Sequence, residues 1–436
     1  MPWSVTTQRT EQGELTIGGI AVASLADRFG TPLYVIDEED LRGRARRIRG
    51  LFQEAYTRSR VVYAAKAYLS PTVAALLWEE GVGLDVVSGG ELYVGQAGGV
   101  PPESMTFHGN NKSAAELAEA VAAGVGLIAI DNDREVDLLR RLTEGVSAPL
   151  RVLLRLNPGV DVATHAKMLT GALDSKFGVA VATGAAMATV DRIVSTPGLA
   201  LVGYHAHVGS QVLDPGLVRR TIDSMLDLAA SVRDRHGLVP EVLSPGGGFG
   251  VSDSADGDDA SIEEWARNAA DALHRGCASR GLPAPELVVE PGRAIIGPAG
   301  IAVYRVGARK EIPGARTYVS VDGGMGDNIR PSLYGARYTA SIANRAPLGP
   351  LETVTIAGRF CESGDILIDE VALPRLEPED LLAVPMAGAY CLAMASNYNL
   401  APRPAVVGVR DGQVRLLRRR ETYDDLVALD APVPTR

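Results

Sequence analysis

A lysine near the end of an apolar, β-leaning run opens the chemical reading. Lys66 lies in "RVVYAAKAY", residues 60–68. A lysine ammonium withdrawn from water has its pKa lowered, by up to roughly 3–5 units when buried, which yields the free amine that attacks an aldehyde. Further along come three consecutive glycines, Gly246, Gly247 and Gly248, in "SPGGGFG". With no Cβ they let backbone amides approach an anion closely. Glu290 in "VVEPGR" can pair with a protonated ring nitrogen, and His207 in "HAHVGS" offers a flat ring for stacking, with Ser210 beyond it as a further anion ligand. Together these are the groups that an aldehyde cofactor with a phosphate and a pyridine ring requires, namely pyridoxal phosphate held as a Schiff base on Lys66. Taken singly, each has a structural alternative: a strand-end lysine that snorkels to solvent, an ordinary strand-to-helix turn, a carboxylate paired with a structural arginine, and a satisfied core histidine.

Such groups need elements that bring them to one place. Eight short apolar runs fall between residues 61 and 293: "VVYAAKA", "GLDVVS", "MTFHG", "LIAID", "RVLLRLN", "LVGYHAHV", "EVLSPGGG" and "ELVVEPGR". Between them lie amphipathic stretches rich in Ala, Leu, Glu and Arg, including 70–81, 113–124 and 216–237, which favour helix. Strand alternating with helix eight times is the rhythm of an α/β fold, a (β/α)8 TIM-like barrel, with a doubly wound sheet as the structural rival. In a barrel, chemistry gathers at the C-terminal strand ends. Lys66, Asp85 and Ser88, His108, Arg155 and Asn157, His207, the glycines, and Glu290 with Arg293 fall at such ends in turn.

After residue 300 the pattern becomes β-rich, with "GIAVYRVGARK", "RTYVSVDGG", "LETVTIAGRF", "DLLAVPMAGAY" and "AVVGVRDGQVRLLRR". Asp411-Gly412 between alternating runs predicts a hairpin turn. The expected organisation is an N-terminal segment, 1–42, joining a β domain; a barrel over 43–298 that binds the cofactor; and an all-β C-terminal domain over 299–436, of Greek-key or β-sandwich type. The acidic, Ser/Gly-rich stretch 251–261 reads as an exposed loop.

Composition narrows the function classes. There are 43 Lys and Arg against 53 Asp and Glu, a net charge of −10, which argues against a nucleic-acid partner. No apolar run approaches the roughly 18 residues of a membrane helix, and the N-terminus shows no basic start followed by an apolar stretch. Three unevenly spaced cysteines suit a reduced cytoplasmic protein better than a disulfide scaffold. The six histidines form no HExxH-type or CxxC-type cluster, so no metal is expected.

Ordered motifs carry a resemblance over residues 30–425: "YAAKAY", "LDVVSGGEL", "HGNNKS", "RLNPGVDVATHAKMLTGALDSKFGV", "HAHVGSQ", "GGGFG", "EPGRAI", "VDGGMGDNIRPSLYGARY", "CESGD" and "GAYCLAMASNYN". In these the chain resembles the fold-type III pyridoxal-phosphate decarboxylases, most closely those acting on diaminopimelate. The resemblance implies Lys66 as the Schiff-base lysine, His207 as the stacking ring, and phosphate and pyridine contacts from Gly246, Gly247 and Gly248 and from Glu290, Pro291, Gly292 and Arg293. It implies Arg293, Arg330 and Tyr334 as substrate-binding residues, Cys361 as proton donor, Glu362 as ligand of the substrate amine, and Tyr390 touching both cofactor and substrate. It also implies a homodimer in which "CESGD" serves the partner's site. Arginines facing a distal carboxylate, with Glu362 on the adjacent ammonium, point to meso-2,6-diaminopimelate as substrate and L-lysine and CO2 as products. The alternatives are a related decarboxylase acting on carboxynorspermidine, a D-amino acid or a secondary-metabolism substrate, or a non-catalytic regulatory homologue. The chain departs from the family at Tyr68, at Ser244-Pro245 where an acidic and an aliphatic residue are common, and at Phe360 where histidine is frequent.

Overall fold

The computed structural model describes residues 3–146, 148–160, 175–209, 214, 216–250 and 261–431. Ser210, most of the "VDVATHAKMLTGALD" stretch and nearly all of the acidic stretch 251–261 lie outside the described residues. Two compact units emerge: 44–250 with 261–294, and 3–43 with 295–431.

The first unit is a closed barrel of eight parallel strands. They are β1 (Ser59–Ala64), β2 (Gly83–Val86), β3 (Met105–Phe107), β4 (Leu127–Ile130), β5 (Leu150–Asn157), β6 (Leu199–Ala206), β7 (Val242–Gly247) and β8 (Glu286–Glu290). Pairing runs in order around the ring and closes between β8 and β1. The doubly wound rival is thereby excluded. Buried parallel strands read as continuous apolar runs, and Val62, Leu127, Ala129, Leu153, Val202, Val242 and Val288 fill the barrel interior. Serine or asparagine starts the helices that follow several strands. Ser70 accepts from the Val73 amide, Ser88 from Glu91, Ser113 from Glu116 in a capping box, and Asn132 from Glu135, each satisfying an otherwise orphaned helix donor.

β7 does not run in even register with β8. Leu243 pairs with Leu287 but Gly246 with Val289, so β7 carries one extra residue at Ser244-Pro245. This is a β-bulge, and a bulge is where a strand tolerates proline and re-aims its side chains.

The second unit is built on a mixed sheet in the order 366–374, 351–357, 316–321, 300–312, 33–37, 405–410 and 413–418. The strand Gly300–Ile312 pairs antiparallel with three others, Leu33–Asp37 among them. Leu33, Val35, Ile301, Val303, Leu381, Val407 and Val409 form its core with Leu15, Ile17 and Leu25. Asp411 (φ 49°) and Gly412 (φ 71°) make the tight turn between the last two strands, as the dipeptide predicts.

Candidate active site

The polar ends of the barrel strands converge on Glu290, the last residue of β8. Its carboxylate is buried. The Ser244 hydroxyl on β7 donates to Oε1 at 2.7 Å, and His205 Nε2 on β6 lies 3.1 Å from Oε2. His108, just after β3, brings Nε2 to 3.4 Å from Oε1 and packs against the His205 ring at a tilt of 56°, with centroids 4.3 Å apart. His108, His205 and Glu290 present ligand atoms within 4.8 Å of one another. Asp85 on β2 has Oδ1 3.7 Å from His108 Nε2.

The electrostatics follow from burial. Desolvation lowers the pKa of His108, His205 and His207 well below the usual imidazole value, so all three rings are neutral at pH 7. Desolvation, reinforced by Glu290, holds the Asp85 carboxyl well above its ordinary range, and Lys66 opposes that shift. Several buried atoms here lack a hydrogen-bond partner: both ring nitrogens of His108, His205 Nδ1 and Asp85 Oδ1. Orphaned buried polar atoms are uncommon and concentrate at functional sites.

Lys66 lies beyond the end of β1, on the single 3₁₀ turn Ala65–Ala67. It is half-buried rather than enclosed in the strand. The Pro291 carbonyl accepts from the Ala64 amide, and a Cβ on Gly292 would press on Ala64 and Ala67 at 3.1–3.2 Å. The "EPG" turn thus packs directly against the lysine's own turn, and Arg293 follows it, buried. On the other side, the Gly247 amide donates to His207 Nδ1 at 3.3 Å. Gly246 and Gly248 adopt φ of 82° and 88°, which admit glycine and little else, and a Cβ on Gly248 would lie 2.0 Å from the Gly209 carbonyl oxygen. Lys66, His207, the glycine turn, Glu290, Pro291, Gly292 and Arg293 therefore occupy one end of the barrel. Ser88 is not in β2 but caps the next helix. Lys112 of "HGNNKS" is structural: buried, it pairs with Glu135 at 2.8 Å and donates to the Ala129 and Gly109 carbonyls.

The remaining candidates sit in the β unit. Arg330 is buried at the start of the short helix Arg330–Tyr334, and its Nη1 donates to the Tyr338 hydroxyl at 2.5 Å. Tyr334 is half-buried in the same helix. Cys361 and Glu362 are exposed in the loop after Leu351–Ala357. Ser332 Oγ donates to the Gly364 carbonyl at 2.6 Å, tying that loop to the helix, and the Cys361 amide donates to Asn399 Oδ1 at 2.9 Å. Asp365 anchors the loop base by accepting from the Met325 and Phe360 amides. Tyr390 holds φ at 59°, a conformation costing a non-glycine residue on the order of 1–3 kcal/mol and common at functional positions.

Sequence reasoning passed over His205 and Ser244 as site residues. For His205 the signal was present: "HAH" places two histidines at strand period 2, on one face. For Ser244 the placement depends on the bulge, which no local pattern announces.

A parallel barrel with a lysine and a carboxylate meeting a glycine turn at its C-terminal end defines a class. The chain matches the model of the "Pyridoxal-dependent decarboxylase, pyridoxal binding domain" family over residues 41–297. It is 43% identical to the diaminopimelate decarboxylase of Bacillus subtilis, covering 99% of this chain and 98% of that one, and 43% identical to that of Mycobacterium tuberculosis, covering 98% and 97%. The crystal structure of the M. jannaschii diaminopimelate decarboxylase in co-complex with L-lysine superposes with a TM-score of 0.91 at 32% identity, covering 99% of this chain and 98% of that one. This chain belongs to the diaminopimelate decarboxylase family of pyridoxal-dependent decarboxylases.

Proposed function

We propose that the chain decarboxylates meso-2,6-diaminopimelate to L-lysine and CO2 with pyridoxal 5'-phosphate bound at the C-terminal end of the barrel. The carrying observation is that Lys66, Glu290 and His207 meet there in a chain whose full length aligns with diaminopimelate decarboxylases. The donor set fits the cofactor. Lys66 Nζ supplies the amine for the aldehyde, Glu290 the carboxylate for the ring nitrogen, His207 a neutral ring for the face, and the amides of Gly246–Gly248 the phosphate cradle, with Ser210 assigned to the same phosphate. The orphaned nitrogens and oxygen around Glu290 support a polar occupant beside it.

When bound, the cofactor supplies an electron sink for the pair released as CO2 departs. The chain's residues do the rest. Glu290 would pair with the pyridine nitrogen and keep it protonated, so that the ring can accept the electron pair. Arg330 and Tyr334, with Arg293, take the distal carboxylate of the substrate, and Glu362 its ammonium, so that only a substrate carrying both groups is held. Cys361 donates a proton from Sγ to the carbon that lost CO2. Tyr390 contacts both ligands.

Cys361 and Glu362 are exposed on their own loop, which supports a homodimer whose protomers exchange this segment. Cys277, Cys361 and Cys391 form no disulfide, in accord with a reducing compartment, and we assign the enzyme to the cytoplasm. Among the described residues no helix is long and apolar enough to cross a membrane.

The test is to incubate the purified chain with pyridoxal phosphate and meso-diaminopimelate and to assay lysine and CO2. Release of CO2 from carboxynorspermidine or a D-amino acid, with none from diaminopimelate, would overturn the substrate assignment. Mixing Lys66→Ala with Cys361→Ala chains tests the shared site: heterodimers with one intact site would restore about a quarter of wild-type activity, whereas no recovery refutes sharing.

A further inference from the structure

Glu290 does not aim itself. Its side chain ends β8, and both carboxylate oxygens are held by groups on the two preceding strands, β7 and β6. His205 and Ser244 are themselves register partners, facing each other across the β6–β7 pair. Ser244 donates to Oε1 at 2.7 Å and His205 lies 3.1 Å from Oε2. Both side chains are almost wholly buried, so neither contact is diluted by water.

The same serine reaches a second partner. The Gly246 amide donates to Ser244 Oγ at 3.2 Å, so one hydroxyl links the acid to the first glycine of the turn. The β7 bulge at Ser244-Pro245 places the hydroxyl between the two. His205 fits the same arrangement. Burial, followed by Arg155 and Lys66, keeps its ring neutral, and a neutral ring that hydrogen-bonds a carboxylate through Nε2 must carry its proton there. Nδ1 is then the bare nitrogen, in keeping with its having no hydrogen-bond partner.

We infer that Ser244 and the Nε2–H tautomer of His205 are positioning residues that fix the Glu290 carboxylate against the pyridine nitrogen, and that Ser244 couples this contact to the glycine turn holding the phosphate. The inference rests on the pyridoxal-phosphate reading above. Neither residue touches the reacting atoms. Each acts through Glu290.

A pair of cofactor probes separates positioning from simple structural support. The apo chain is titrated, by absorbance and fluorescence, with pyridoxal phosphate and with its 1-deaza analogue, in which C–H replaces the ring nitrogen and nothing remains for Glu290 to pair with. The wild type is expected to prefer pyridoxal phosphate. Ser244→Ala and His205→Leu are each expected to shrink that preference about tenfold, the scale of a hydrogen bond to a charged group. His205→Gln, which retains an N–H donor, is expected to preserve more of it. ¹⁵N spectra of the unaltered apo chain give a readout free of folding defects, with His205 identified by its loss in His205→Gln and expected as the Nε2–H tautomer. Equal weakening for both probes, an unchanged ratio, or an Nδ1–H tautomer would overturn the positioning role. Failure of pyridoxal phosphate to bind the wild type would instead overturn the cofactor reading, and this inference with it.

Discussion

Two buried carboxylates, one in each unit, are held in similar ways and surrounded very differently. Glu290 in the barrel accepts from Ser244 and lies within hydrogen-bond reach of His205. Asp327 in the β unit accepts from the hydroxyls of Tyr304 at 2.6 Å and Tyr34 at 3.0 Å and from the Gly324 amide at 2.9 Å. Burial raises the Asp327 carboxyl to about 6, and its three donors only partly offset this. Hydrogen-bonded burial therefore does not by itself mark an active site. The barrel acid is set apart by its company: ring nitrogens and a carboxylate oxygen with unspent hydrogen-bonding capacity, beside a half-exposed lysine at the strand ends. Asp327 is ringed by tyrosine hydroxyls that finish their bonding on it.

Four substitutions break or sharpen the contrast. Lys66→Ala should have the largest effect, lowering kcat by at least about a thousandfold. It should also abolish the borohydride-stable cofactor adduct seen by mass spectrometry, while leaving thermal stability of the chain near wild type. Asp327→Asn should act on stability alone. A raised pKa means that the fold favours the protonated acid. Its contribution is complete below the ordinary value of 3.8 and is lost as pH rises through about 6. That difference corresponds to about 3 kcal/mol, and the asparagine variant should flatten the fall in unfolding free energy between about pH 4 and pH 7. An unchanged pH profile would mean that Asp327 is no more costly to ionise than an exposed acid. Arg330→Ala should raise KM about 10- to 100-fold, the loss of a charge-assisted contact, with cofactor affinity unaltered. An unchanged KM removes the basis for the distal-carboxylate assignment. Gly412→Ala, at φ 71° in the terminal hairpin, should cost about 1 kcal/mol and leave kinetics untouched.

The legibility of the sequence divides along the same line. All eight barrel strands are readable because a parallel strand covered on both faces is apolar along its length, and several of the helices between them start at a serine or asparagine cap, although those at Ala185–Val194 and Leu217–His236 start at glycine. The β unit is harder to read. The strand Ile366–Pro374 is interrupted by two consecutive acidic residues, Asp369 and Glu370, and carries no turn signal as clear as Asp411-Gly412. At the site, Lys66, Glu290, His207 and the glycines stand out by residue type. Lys66 lies on a 3₁₀ turn rather than in the strand because the apolar run continues past the last paired residue, Ala64, and apolarity does not distinguish the two. His205 is hinted at by its strand-period spacing from His207, whereas Ser244 becomes intelligible only with the bulge and cross-strand register, a non-local property.

The extra residue in β7 has a consequence for how this site could be altered. Side chains alternate across a strand, so the identity of a residue and the direction it faces are separate variables, and the bulge sets the second. Excising Pro245 would return the strand to even count and move every residue beyond it by one place, turning the glycine turn out of phase with its neighbours though no glycine had been replaced. Length, at that one position, governs the site as strictly as composition does.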